Sequence, residues 1–266
     1  MTILSLIRFL FLLLMSTLSL WAYSDSDFDG VGDSKDICPN TSFDQVVDHY
    51  GCPERKDITL MLGEEFSSGK YGGTDTVTTT RSSLFASFTT NTWSYALSTS
   101  TVKTQTSTTK LSGTGDVYAT ISYNGLKSKK RLTSFQAGMK MATADTSIGT
   151  GENDYNIRIS NVILDKAYSY LSSIGYTVTG DTNLQTYNDY VNVSAGLGYQ
   201  RTKKLYLSAS MNYASAYIQN ADASLDALVY LAYIFTEKWF MTASSSLGLS
   251  DAVADFSANM SLGVKF

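Results

Sequence analysis

Asp255–Phe266 reads DFSANMSLGVKF, and the reading of this stretch decides the fold. Phe256, Ala258, Met260, Leu262, Val264 and Phe266 fall on one side of a period-two pattern, and Ser257, Asn259, Ser261, Gly263 and Lys265 fall on the other. Successive side chains of a strand point to opposite faces, so this is a strand with one apolar and one polar face. In a soluble sandwich the polar face meets water and the apolar face meets a core. Here the apolar series continues to an aromatic residue at position 266.

Working outward, strand-like segments recur at 57–66, 78–88, 92–103, 115–125, 132–143, 153–163, 167–179, 189–200, 205–217, 226–236 and 239–249. Each is close to the roughly 9–11 residues that cross a bilayer as a tilted strand. Trp93, Tyr95 and Leu97 share one face, as do Val117, Ala119, Ile121 and Tyr123, or Val191, Val193, Ala195, Leu197 and Tyr199. Their alternates are Ser94, Ser98, Thr120, Ser122, Asn192, Ser194, Gly196 and Gly198. Segment 226–236 is apolar on both faces, through Leu228, Tyr230, Leu231 and Ile234. Links near Thr90-Asn91, Gly125 to Lys130, Asp165-Lys166, Arg201 to Lys204 and Thr236 to Lys238 are short, and the alternate links are longer. An even count of about twelve strands brings both ends to one side. Lys127, Lys129, Lys130, Arg131, Lys166, Arg201, Lys203, Lys204 and Lys238 gather at the short links. Asp75, Asp145, Glu152, Asp154, Asp181, Asp222 and Asp251 gather at the long ones.

The final strand resembles the closing strand of bacterial outer-membrane β-barrels, in which the last aromatic residue belongs to the assembly signal. The resemblance implies that Phe266 addresses the barrel-assembly machinery and that outer-membrane lipid surrounds the barrel. Composition agrees. The 266 residues include 18 Tyr and 12 Phe but 2 Pro and 1 His, a mixture suited to strands. After Asp25 no stretch approaches the roughly 20 apolar residues of a membrane helix, so a membrane-spanning chain must span as strands. With 17% charged residues and a net charge of −4, nothing points to a nucleic-acid partner.

The chain starts like an export signal: Arg8, an apolar run over Phe9–Leu20, and a cleavage site at Ala22. Residues 1–22 are therefore expected to be a signal peptide, residues 23–56 a small module on the periplasmic side, and residues 57–266 the barrel. An uncleaved anchor is the competing reading, and about 14 apolar residues are short for it.

In the module, Asp25, Asp27, Asp29, Asp33 and Asp36 stand at positions one, three, five, nine and twelve, with Gly30 at six and the Val31 carbonyl at seven. Odd-numbered oxygen ligands around a glycine turn form the loop logic of a calcium site. Cys38 and Cys52 are the 2 cysteines of the chain, and an exported protein closes such a pair, restricting the unfolded chain by roughly 3 kcal/mol. Residues Asp25 to Pro53 resemble a thrombospondin type 3 repeat, which implies bound calcium. No peptidoglycan-binding domain follows, so wall anchoring is not implied.

A second resemblance rests on Lys140, Thr143, Ala144, Asp145, Gly149, Thr150, Gly151, Asp154 and Tyr155, together with Gly248 to Asp251 and Asp255-Phe256. These are similar to two hairpins of outer-membrane proteins of the phenol-degradation meta-pathway family, with Ala142 in place of a proline. The match covers about residues 132–266 and implies a barrel, with a channel for small hydrophobic or aromatic molecules as the expected activity. A non-conducting structural or surface-binding protein of the outer membrane is the alternative. No enzyme is expected, because barrel hydrolases use a histidine base and His49 lies in the module. The interior set is small and polar, leaving unfilled space within about twelve strands. Asp116, Lys140 and Arg158 are expected to point into that lumen, where they either bias its ion selectivity or form a structural interior ion pair or network.

Overall fold

The computed structural model describes residues 24–41, 47–54, 56–128, 130–145, 148–149, 151–180, 187–219 and 221–266. The expected signal peptide lies outside these residues, as do Lys129, Thr150 and Asp181. Two compact units divide the chain between Glu54 and Arg55.

The second unit contains thirteen strands: β1 (Lys56–Gly69), β2 (Val77–Thr90), β3 (Trp93–Gln105), β4 (Lys110–Thr114), β5 (Val117–Ser128), β6 (Arg131–Met141), β7 (Asp154–Asp165), β8 (Tyr168–Val178), β9 (Tyr190–Thr202), β10 (Leu205–Ala214), β11 (Ser224–Ile234), β12 (Trp239–Gly248) and β13 (Phe256–Lys265). Neighbours pair antiparallel in chain order, β3 passes on to β5, and β1 pairs with β13, from Thr59↔Lys265 to Ser68↔Phe256. Twelve strands thus close into a ring in which each has a hydrogen-bonded neighbour on both sides, as a wall spanning a membrane requires. The seam ends on two mutual hydrogen bonds: Phe266 N–H donates to the Ile58 carbonyl at 2.9 Å, and Ile58 N–H to that of Phe266 at 3.2 Å.

The thirteenth strand is β4, which pairs with the upper part of β3 from Thr101↔Thr114 to Gln105↔Lys110. The segment spacing predicts a loop there, and the chain forms a hairpin instead. Its residues, KTQTSTTKLSGT from Lys103 to Thr114, bury no apolar face, so the pairing carries no period-two signal. A second difference lies at Gly125, expected to open a turn. The strand runs on to Ser128 through a bulge between Tyr123 and Leu126, and the Tyr123 phenol covers the bare α-carbon of Gly125. The segment apolar on both faces is an ordinary wall strand, β11, with Leu228 and Tyr230 on the same face as Asp226.

The polarity of this unit is inverted relative to a soluble domain. Among the described residues Val102 is the one buried hydrophobic, at 6% exposure, whereas Leu62, Ile157 and Met260 are 67%, 64% and 58% exposed on the outer face. Aromatic side chains mark both ends of this outer belt. Trp93 and Tyr123 meet with ring centroids 5.0 Å apart, and Tyr168 and Tyr199 at 5.2 Å, toward the end that carries Lys56 and Phe266. Phe66, Tyr155, Tyr176, Tyr213 and Phe256 stand toward the other end. An apolar band between two aromatic girdles matches a bilayer's core and its two interfaces. Links at 91–92, 166–167 and 203–204 are tight, while those at 142–153 and 179–189, on the opposite end, are long.

Candidate functional site

The inner face of the ring is lined by the alternates of the outer belt. Ser67, Ser257 and Ser246 follow one another across β1, β13 and β12, as do Gly63, Ser261 and Thr242. Hydroxyls on this face bond to each other: Ser173 to Ser194 at 2.8 Å and Ser246 to Ser257 at 2.7 Å. Such pairs satisfy polar groups without filling the lumen. Aromatic rings interrupt the small wall in few places. The Tyr206 hydroxyl meets that of Ser169 at 2.9 Å above Gly198, and its ring meets Tyr230 edge-on. Phe240 lies over Gly263, with the Lys265 ammonium 5.5 Å from its ring centre.

The three charged residues expected in the lumen have three different settings. Lys140, on β6, pairs with Asp154, directly opposite on β7, at 2.7 Å, and both side chains are largely covered. Arg158, two positions further along the same face of β7, donates to Asn192 Oδ1 at 3.2 Å. Asp116 precedes β5 and is buried, and its Oδ1 accepts the N–H groups of Thr143 at 3.0 Å and Ala144 at 2.9 Å. That carboxylate therefore tethers the 142–153 link, drawing Ala144, Ile148 and Gly149 into a cavity of ≈ 330 Å³ shared with Arg81 and Tyr118. The sequence places Asp154 among the long-link acids, and its even number puts it on the same face of β7 as Arg158, where Lys140 reaches it. The sequence reading also missed Tyr118 and Asn156, which share an inner cavity with Lys140 and Arg158.

In the amino-terminal unit, the disulfide Cys38–Cys52 is formed, with Cα atoms 5.1 Å apart. Four carboxylates there follow one pattern: one oxygen accepts a backbone N–H and the other is buried without a partner. Asp25 accepts from Gly30 at 3.0 Å, Asp27 from Thr41 at 2.7 Å, Asp29 from Val31 at 2.8 Å and Asp36 from Cys38 at 2.7 Å. The bare atoms are Asp25 Oδ1, Asp27 Oδ1, Asp29 Oδ2 and Asp36 Oδ2. Ligand oxygens of Asp25, Asp27 and Asp29 lie within 4.8 Å of one another. Asp29 and Asp36 both crowd the α-carbon of Gly51, where φ is +73° and a side chain would collide with them. Buried, unpartnered carboxylate oxygens are costly unless a cation compensates them, and a hard divalent ion takes such oxygens. The donor set fits calcium. Both oxygens of Asp33 are engaged by Ser24 and Ser26, at 2.6–2.8 Å. The Ser24 hydroxyl, followed by the Ser26 N–H and hydroxyl, holds the Asp33 carboxyl below the ordinary carboxylate range. His49 stacks on Tyr50, with ring centroids 3.9 Å apart.

An apolar, aromatic-rimmed outer wall around a polar inner wall, closed over twelve strands, defines the fold class as that of bacterial outer-membrane β-barrels. The chain is similar to an outer-membrane channel from Pseudomonas putida F1, with a TM-score of 0.66 and 11% identity, over 79% of this chain and 95% of that one. It is also similar to the KdgM porin in complex with disordered oligogalacturonate, with a TM-score of 0.51 and 9% identity, over 79% of this chain and 98% of that one. At these identities the likeness is one of fold. No family model matches the sequence, and no curated protein does.

Proposed function

We propose that the chain is a passive channel of the bacterial outer membrane for small solutes, carrying a calcium-binding module on its periplasmic side. One observation carries the reading: a closed twelve-strand wall whose outer face is apolar and whose inner face is small and polar. A barrel of about eight strands is just filled by its own side chains, and twelve strands lined by Ser, Gly and Asn leave a lumen. Hydrophobic or aromatic cargo, which the phenol-degradation resemblance implies, would meet Tyr118, Tyr190, Tyr206 and Tyr230 on this wall. Basic residues at the short links and the aromatic carboxy terminus support an orientation with both termini in the periplasm, Phe266 engaging the barrel-assembly machinery.

Within the module, Asp25, Asp27, Asp29 and Asp36 hold the ion through their bare oxygens, with the Val31 carbonyl and Asp33 completing the motif set. The ion supplies positive charge that offsets the covered, bare oxygens of these carboxylates. No catalytic role is assigned, since the barrel lacks a histidine base.

The second reading, a non-conducting surface or structural protein, draws on the 142–153 link that Asp116 ties into the lumen. Swelling of liposomes that contain the purified, folded protein separates the two. The channel reading expects swelling in isotonic solutions of small sugars. Absence of swelling with folded protein would favour the plugged barrel.

A further inference from the structure

The inner faces of β5 to β9 enclose a cavity of ≈ 250 Å³, near the lower end of small-molecule sites at about 300–1,000 Å³. Its lining includes Arg158, which lies directly opposite Gln136 on β6 and Gly175 on β8. The missing side chain at Gly175 lets Asn192 cross from β9: a β-carbon there would sit 2.6 Å from Asn192 Oδ1, the atom that accepts from Arg158. Gly138 does the same for Asn156, whose amide lies flat where a β-carbon would be 2.7 Å from its Nδ2. Two glycines thus lay two amides on the wall, on either side of a guanidinium.

The donor inventory decides what this array binds. A guanidinium offers five N–H donors and no acceptor. The Asn192 oxygen is committed to Arg158, which leaves the amide NH2 of Asn192 as its offering. The carboxylate at the cavity, Asp154, is cancelled by Lys140 at 2.7 Å, and among the described residues Arg158 forms no ion pair. The site is therefore cationic and donor-rich at Arg158. Asn156, Gln136 and Thr177 around it match neutral hydroxyls, and Tyr118 and Tyr190 bound it on β5 and β9.

We propose that this cavity is the selectivity site of the channel and that its ligand is a small hydroxylated carboxylate, of the sugar-acid or hydroxy-acid class. Arg158 takes the carboxylate, in the bidentate geometry that its fork allows. The amides of Asn156, Asn192 and Gln136 take the hydroxyls, and a tyrosine ring covers the apolar face of the carbon skeleton. An aromatic carboxylate would satisfy Arg158 and leave the three amides without partners.

This inference rests on the channel reading, and its test keeps the two apart. Proteoliposomes carrying the full chain are assayed for entry of D-glucuronate and D-glucose, which differ by a carboxylate in place of an alcohol, and of benzoate. Below saturation, wild type is expected to pass glucuronate faster than glucose and faster than benzoate. In Arg158→Gln the glucuronate-to-glucose ratio falls about tenfold, and Arg158→Lys restores part of it. Equal entry of glucuronate and glucose through wild type overturns the carboxylate site while leaving the channel intact. Benzoate entering as fast as glucuronate overturns the role of the amides. If no solute enters, the channel reading fails, and equilibrium binding of glucuronate to the protein in detergent then decides: saturable binding weakened by Arg158→Gln upholds the site, and its absence refutes it.

Discussion

At the scale of single residues, the same device is used twice for different ends. In the amino-terminal unit, backbone N–H groups fix one oxygen of each of four carboxylates and leave the other bare, and ligand oxygens of Asp25, Asp27 and Asp29 come within 4.8 Å of one another. In the barrel, Asp116 gives its Oδ1 to two consecutive N–H groups and holds a link. Asp27→Asn removes one charge from the first cluster while keeping its shape. Calcium titration of the protein is expected to show at least about a tenfold loss of affinity, since affinity at such sites follows ligand charge. An unchanged isotherm would dissociate Asp27 from the ion. Asp116→Ala leaves the N–H groups of Thr143 and Ala144 without their acceptor, at a local cost of about 1–3 kcal/mol. Released from its tether, the 142–153 link should clear the lumen, and single-channel conductance should rise. The grouping of Asp25, Asp27 and Asp29 was legible from spacing, because they alternate along the chain. The engagement of Asp33 with Ser24 and Ser26 was not, since spacing does not say which neighbour a side chain turns to.

At the scale of elements, the strands were legible because lipid on one side and a polar lumen on the other impose strict alternation. The residues at 189–200 and 255–266 follow it, and the strands run over Tyr190–Thr202 and Phe256–Lys265. Where neither environment acts, the signal vanishes, as in the hairpin of β3 with β4. The bulge in β5 was hidden for another reason: Asn124-Gly125 has the composition of a turn, and only its pairing with β6 reveals that the strand continues. The closing strand carries the prediction at this scale. Removing Phe266 takes away two hydrogen bonds of the seam with Ile58 and the terminal aromatic ring. Membrane-inserted, heat-modifiable barrel recovered from cells is expected to fall severalfold, while refolding of the purified deletion in detergent proceeds. Normal insertion of the deletion in cells would contradict the assembly role of this residue.

At the scale of the molecule, what matters is the inversion of polarity around a ring with no edge. Exposed Leu62, Ile157 and Met260 require an apolar surround. Inner Ser, Gly and Asn residues, on twelve strands, require water or a solute inside. The sequence implied this distribution through parity and link lengths. The luminal array around Arg158 stayed hidden, because Asn192 reaches it from β9 across Gly175 over a separation that periodicity does not register, and because parity does not say that Asn156 turns over Gly138. The most direct test of the account is the current through purified, folded protein in a planar lipid bilayer. Discrete conductance steps, with Arg158→Gln shifting the reversal potential toward cation preference, are the predicted result. A folded barrel that inserts and carries no current would contradict it.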